Sequence, residues 1–261
     1  MPRRNGRIIL TLLGIAACTP SEFVWSDAPS AELHSYLESF AEACGDGIDR
    51  RASQVEMLEA LRSARLIWLG DHHESERLHT LQRDLLEQLV RTGARLTFVL
   101  EAVGSEDDAA VARYLRGDRS LAELRTEIAG RWPGSWLEEA TLDAAFYRGL
   151  LEFAKEHTIP VFGAEPTPRV PLRHRDDTIA RRVQQVAAAA AERTVVVVVG
   201  QAHLLGTGNL VARTGLSGAV LGGVPPARLR DATPSRTDRG FFRSNGGLWW
   251  FAPMFADARG R

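Results

Sequence analysis

Four short segments hold the residues of this chain that could do chemistry: Gly70-Asp71-His72-His73-Glu74, Glu101, Glu165-Pro166 and Gly200-Gln201-Ala202-His203. Two of them share the pattern Gly-x-x-His, an imidazole three residues past a glycine, as if one device were used twice. Imidazole nitrogens and carboxylate oxygens are the usual ligands of zinc, iron or manganese, and three of them with one open position make a hydrolytic centre. His73, Glu101, Glu165 and His203 are the candidate metal ligands on that reading. Without a metal, a histidine and a glutamate in contact can serve as a general base and its orienter, which makes His73, Glu101 and His203 the candidate catalytic set.

Each of these segments follows directly on an apolar run. The runs are Arg65 to Gly70, Leu96 to Glu101, Ile159 to Ala164 and Val195 to Val199, the last of them five valines. Continuous apolar runs without alternation suit strands of a parallel sheet covered on both faces, and ligands of such sheets bind at the carboxyl ends of the strands. Between the strands lie helical patterns. Leu78, Leu81, Leu85, Leu86 and Leu89 form one stripe, Ser105 to Asp108 reads as a capping box, and further helices are expected from about 137 to 157 and 176 to 192. Gly70 to Glu101 and Glu165 to Gly200 are intervals of 31 and 35 residues, the length of single βαβ crossovers, whereas Glu101 to Glu165 is 64. The expected fold is therefore α/β, a mostly parallel central sheet with helices on both faces and a helical insertion at about 102–158.

Other residues are less telling. His79, six residues past His73, reads equally well as part of the site or of a solvated helix face, and His34, His157 and His174 read as surface residues. The cations from Arg169 to Arg175 could hold a carboxylate, phosphate or propionate, or simply form a charged loop before a helix begins at Asp176. Trp132 and Trp136 flank a Pro-Gly turn and could wall a ligand or pack into the core. No nucleophile elbow, P-loop, paired CxxC or Gly-x-Gly-x-x-Gly occurs. A formal charge of −1 over 261 residues offers no field for nucleic acid, which is excluded as a partner.

The first residues read as an export signal. Met1 to Arg7 holds three arginines and no acid, Ile8 to Ala17 is uncharged, and the run closes on Ile15-Ala16-Ala17-Cys18. Ten apolar residues are too few to cross a bilayer of about 30 Å, so a cleaved signal fits better than a membrane span. Cys18 matches the lipidated cysteine of a lipobox, and Thr19, in place of Asp, points to the outer membrane of a Gram-negative bacterium. The organisation expected is a lipoprotein signal peptide at 1–17, a lipidated tether at 18–30 and one α/β domain at 31–261. Subtracting three arginines from −1 leaves the mature chain at −4. Cys44 is the only other cysteine, so no disulfide is available once Cys18 is acylated.

Taken in order, Leu69-Gly70-Asp71-His72-His73 with His79, Val99-Leu100-Glu101, Ala164-Glu165-Pro166, Arg175-Asp176 and Val199-Gly200-Gln201-Ala202-His203 resemble the ChaN-like haem-binding uptake lipoproteins, grouped with Tiki, TraB and erythromycin-esterase-like proteins. The resemblance covers roughly Leu66 to Leu205. Asp71 stands where a glutamate is commoner, and Glu165 where the ChaN branch tends to have asparagine. The resemblance implies haem or iron binding for uptake, with Arg169, Arg175 and Tyr147 as residues toward the cofactor, a transition metal ion as the other cofactor, and room for a homodimer. Its other branches imply hydrolysis of peptides or esters, metal-dependent or with a histidine base.

Overall fold

The computed structural model describes residues 31–132, 135–140, 142–166, 170–231 and 240–259; the expected signal peptide, Cys18 and the tether lie outside them. The strands are β1 (Ile48–Ser53), β2 (Leu66–Asp71), β3 (Leu96–Gly104), β4 (Val161–Glu165), β5 (Thr194–Gly200), β6 (Ala219–Leu221), β7 (Gly240–Ser244) and β8 (Trp249–Phe251). The helices are α1 (Ala31–Ala43), α2 (Gln54–Ser63), α3 (Glu76–Arg91), α4 (Asp108–Leu115), α5 (Leu121–Arg131), α6 (Ala144–Glu156), α7 (Leu172–Ala189), α8 (Leu210–Thr214) and α9 (Ala227–Asp231). Among the described residues no helix is long and apolar enough to cross a membrane.

All eight strands form one sheet in the order β1-β7-β8-β6-β2-β5-β3-β4. The pairs from β8 through β6, β2, β5 and β3 to β4 are parallel, and only β7 runs antiparallel to its neighbours β1 and β8. Every residue of β2 and β3 is buried, because both faces are covered. Alternate side chains go to opposite layers. Ile67, Leu69, Phe98, Leu100, Val196 and Val198 pack with the Leu78–Leu89 stripe of α3 and with α4, α5 and α6. Leu66, Trp68, Val99, Val195, Val197 and Val199 pack with Phe40 of α1 and with Ile179, Val183 and Val186 of α7. The five-valine run thus feeds both cores, each valine contributing roughly 1.5–3 kcal/mol of burial.

Three local expectations are revised. Ser105–Asp107 is a single 3₁₀ turn, and neither end of it carries a side-chain cap. Asp107 instead pairs with Arg131, and Asp108 accepts from the Gly163 amide at 2.8 Å and from Arg182, pinning the insertion to β4 and α7. The working capping boxes are Ser53/Glu56 on α2 and Ser120/Glu123 on α5. Finally, α6 starts at Ala144, where Asp143 accepts from the Phe146 amide, and α7 starts at Leu172, before Arg175 and Asp176 rather than at them.

Gly163 shows how tightly β4 meets β3. A methyl group there would lie 2.1 Å from the Gly104 carbonyl oxygen, where the pairing of the two strands shifts register.

Candidate functional site

The register of β2 on β5 sets Asp71 beside Gly200, so the two Gly-x-x-His segments leave neighbouring strands side by side. Glu101 does not end its strand. β3 stays paired with β5 only as far as Leu100 and continues to Gly104, so Glu101 sits where the two part and reaches across the end of β5. One carboxylate oxygen of Glu101 accepts from the Gly200 amide at 2.6 Å, and the other accepts from Arg175 at 2.5 Å and lies 3.5 Å from His203 Nε2. Arg175, one turn into α7, also donates to Glu165 at 2.7 Å through Nε. His203 Nδ1 donates to Asp176 Oδ1 at 2.6 Å, and the Tyr36 hydroxyl donates to the other Asp176 oxygen at 2.8 Å.

A second hub is centred on Asp71, the last residue of β2. One of its oxygens bonds His73 Nδ1 at 2.9 Å and accepts from the Tyr147 hydroxyl at 2.7 Å, while the other bonds His79 Nε2 at 2.8 Å. His79 in turn bonds Asp143 through Nδ1 at 2.7 Å and stacks flat on Phe146, 3.9 Å away. Trp136 leans over His73, ring centroids 4.2 Å apart. The hubs meet at Gly200. A methyl group there would lie 3.4 Å from Glu101 Oε2, His203 Cδ2 and His73 Cε1 at once, which locates the three expected catalytic residues around a single point.

Electrostatics follow from this packing. Burial alone would push Glu101 up, but Arg175, His203 and His73 outweigh it and hold its carboxyl well below the usual range. Burial disfavours the charged His203 ring, yet Glu101 and Asp176 raise it from 6.5 to about 9, so it is an imidazolium at neutral pH. His79 is likewise raised, against its burial, by Asp71 and Asp143, and Asp71 is lowered, against its own burial, by His73 and His79. Burial first, and then the neighbouring carboxylates, push the Tyr36 and Tyr147 hydroxyls far above the ordinary tyrosine range. Assembling this many charges away from water costs several kcal/mol per ion before pairing repays it.

Several expectations change here. His79 is not on a solvated face but is 2 % exposed inside the Asp71 hub. Tyr36, in no motif, belongs to the site. Arg175 is consumed by Glu101 and Glu165, so it is not free for a propionate, and Tyr147 is buried with its proton held by Asp71, so it cannot serve as a tyrosinate ligand. Arg169 lies outside the described residues. The metal centre expected on His73, Glu101, Glu165 and His203 is replaced by ion pairs: among the described residues no group of three or more His, Cys, Asp or Glu is disposed to hold a metal ion. Of His73, Glu101 and His203, only the His73 ring is partly exposed, at 33 %, with Nδ1 tied to Asp71 and Nε2 remaining.

Residues 57–171 match the model of the family described as haem-binding uptake, Tiki superfamily, ChaN. That stretch of the chain is similar to ChaN. No curated protein matches it. Among solved structures, ChaN of Campylobacter jejuni, described with cofacial haem binding, is 13% identical, with 65% of this chain and 85% of that one covered and a TM-score of 0.47. The type III effector HopBA1 is 15% identical, with 79% and 96% covered and a TM-score of 0.51. RRSP, a MARTX toxin effector domain from Vibrio vulnificus CMCP6, is 14% identical, with 86% and 43% covered and a TM-score of 0.48. The HopBA1 likeness bears on the fold alone, a mixed sheet with helices on both faces.

Proposed function

We propose that this chain binds haem through His73. The observation that carries the reading is the partly exposed His73 imidazole at the sheet's carboxyl edge, held by a buried carboxylate, inside the segment that matches the haem-binding family. A porphyrin supplies four of the iron's ligands, so one protein donor suffices, whereas a bare ion needs three or four. The Asp71 carboxylate fixes the ring with its proton on Nδ1, which leaves Nε2 as the donor atom. Trp136, against the same ring, offers an apolar wall. Bound haem would supply an iron centre whose ligation and redox state the protein tunes through that Asp–His pair.

The test is a haemin titration of the purified full chain read by its Soret band. Wild type and Tyr147→Phe should both give a saturable shift, and His73→Ala should not. Equal binding by His73→Ala would overturn the reading. We place the protein, with residues 31–261 as its folded part, in the envelope as an outer-membrane lipoprotein held by acylated Cys18. Fatty-acid labelling that survives Cys18→Ser would refute that placement.

A second reading, hydrolysis with a histidine base, is favoured by the meeting of His73, Glu101 and His203 around Gly200. There His73 Nε2 would take a proton from water as its oxygen attacks an ester or amide carbonyl, then return it to the leaving group, while the His203 imidazolium and Arg175 keep Glu101 anionic. Ester or peptide cleavage lost in both His73→Ala and His203→Gln, with no Soret shift in wild type, would replace the haem reading with this one.

A further inference from the structure

The opposite edge of the sheet holds a feature that neither reading uses. Three neighbouring parallel strands, β2, β5 and β3, begin there, and each is preceded by or opens on an arginine: Arg65 before β2, Arg193 before β5 and Arg95 before β3. The backbone locks them together. The Val195 amide donates to the Arg65 carbonyl at 3.0 Å and the Thr194 amide to the Arg95 carbonyl at 2.8 Å. One residue back from the Leu96/Thr194 and Leu66/Val195 pairs, the register sets Arg95 beside Arg193 and Arg65 beside Thr194. With strands about 4.8 Å apart, three cationic residues stand within two strand widths. Arg62, in the last turn of α2, closes the group.

These four arginines line one cleft of about 450 Å³, in which the one carboxylate is Glu192. That volume lies within the roughly 300–1,000 Å³ of small-molecule sites. Several arginines elsewhere in the fold are matched to acids: Arg113, Arg119 and Arg131 to Glu127, Arg125 to Glu138, Arg182 to Asp108 and Arg213 to Asp177. Among the described residues Arg62, Arg65 and Arg95 form no ion pair, and Arg193 donates to the Leu96 carbonyl instead. A cation in the last turn of α2 also suits the carbonyl end of that helix, but a helix end does not require three more arginines from other segments. Like charges held side by side on neighbouring strands repel. A bound oxyanion removes that repulsion and matches the guanidinium fork.

We propose that this cleft at the amino edge is a binding site for a phosphate-bearing anion, separate from the His73 site. The full chain is titrated with inorganic pyrophosphate, and separately mixed with phosphatidylglycerol vesicles and with phosphatidylcholine vesicles, as wild type and as the double variant Arg65→Gln/Arg95→Gln. Wild type should bind pyrophosphate saturably, more weakly as salt rises, and its thermal transition should move upward with pyrophosphate. The double variant should bind about tenfold or more weakly. Without the anion it should melt no lower than wild type, because self-repulsion is relieved, and it should keep the haemin response of wild type. Retention on phosphatidylglycerol vesicles that needs Arg65 and Arg95, without pyrophosphate binding, would identify a lipid headgroup as the source of the phosphate. Wild type that binds neither pyrophosphate nor phosphatidylglycerol vesicles, or binding that survives the double substitution, overturns the proposal.

Discussion

Replacing Glu101 by Gln removes one charge from the middle of the buried network and almost no volume. The carboxylate serves the Gly200 amide, Arg175 and His203. Gln has one acceptor oxygen; if that keeps the Gly200 amide, its NH₂ group faces the Arg175 guanidinium, donor against donor. The size of the loss can be worked from His203, whose rise from 6.5 to about 9 rests on Glu101 before any other favourable partner. At about 1.4 kcal/mol per pH unit, the whole network stabilises that imidazolium by about 3 kcal/mol, and Glu101 accounts for the larger part. Leaving Arg175 under-paired adds to this, and breaking a buried ion pair from one side typically costs about 3–5 kcal/mol. We expect Glu101→Gln to lose about 3–5 kcal/mol, a large share of the roughly 5–15 kcal/mol of a folded domain. Urea unfolding followed by tryptophan fluorescence at pH 7 measures it. The pH series adds a sign. A group whose folded pKa is raised stabilises the fold fully below its unfolded value and loses that contribution as pH climbs through the folded one, so wild type should weaken from about pH 6.5 to 9. In the variant that alkaline decline should shrink and move to lower pH. A loss under about 1 kcal/mol, with an unchanged alkaline decline, would refute the description of Glu101 as the centre of a charged network.

At the acid end the signs reverse. Glu101 and Asp71 are held low, so their contribution is present above their ordinary values of 4.5 and 3.8 and fades as pH falls below them, which acid unfolding of wild type should record as a steep loss of stability. Tyr36→Phe keeps the ring and removes the donor to Asp176, and should cost about 1–3 kcal/mol in urea unfolding; no change would mean that the hydroxyl is not needed by the Asp176–His203 pair. Gly163→Ala drives a methyl group into the Gly104 carbonyl across the β3–β4 pair and should cost about 3 kcal/mol or more, or leave the chain insoluble; a wild-type melting curve would contradict that contact.

How much of this could be read from the residues depended on whether the signal was local. The central strands β2, β3, β4 and β5 were legible because a strand covered on both faces must be apolar at every position, and the chemistry-bearing residues follow such runs directly. β1, β6 and β8 were not, since Ile-Asp-Arg-Arg-Ala-Ser at an edge and three-residue strands have neither length nor alternation to mark them. The same rule divides the site. His73 and His203 announced themselves by a repeated spacing, whereas Tyr36 lies 167 residues from the His203 it meets, in an amphipathic helix with no motif.

His79 shows why composition near a charge can mislead. Beside Glu76 and Arg83 it looks solvated, yet helical spacing also puts it on the face of α3 that carries Leu78, Leu85 and Leu86 into the core. A histidine there is tolerable only if both ring nitrogens are satisfied, and Asp71 and Asp143 do this from two different elements. Asp143 also donates its own amide to the His73 carbonyl, so the start of α6 is tied to the segment that holds the exposed imidazole. The helical insertion therefore does more than fill space between β3 and β4. Through Asp143, Tyr147 and Trp136 it fixes the ring on which both functional readings depend, and a change in the packing of α6 on α3 would be felt at His73 before it was felt at Glu101.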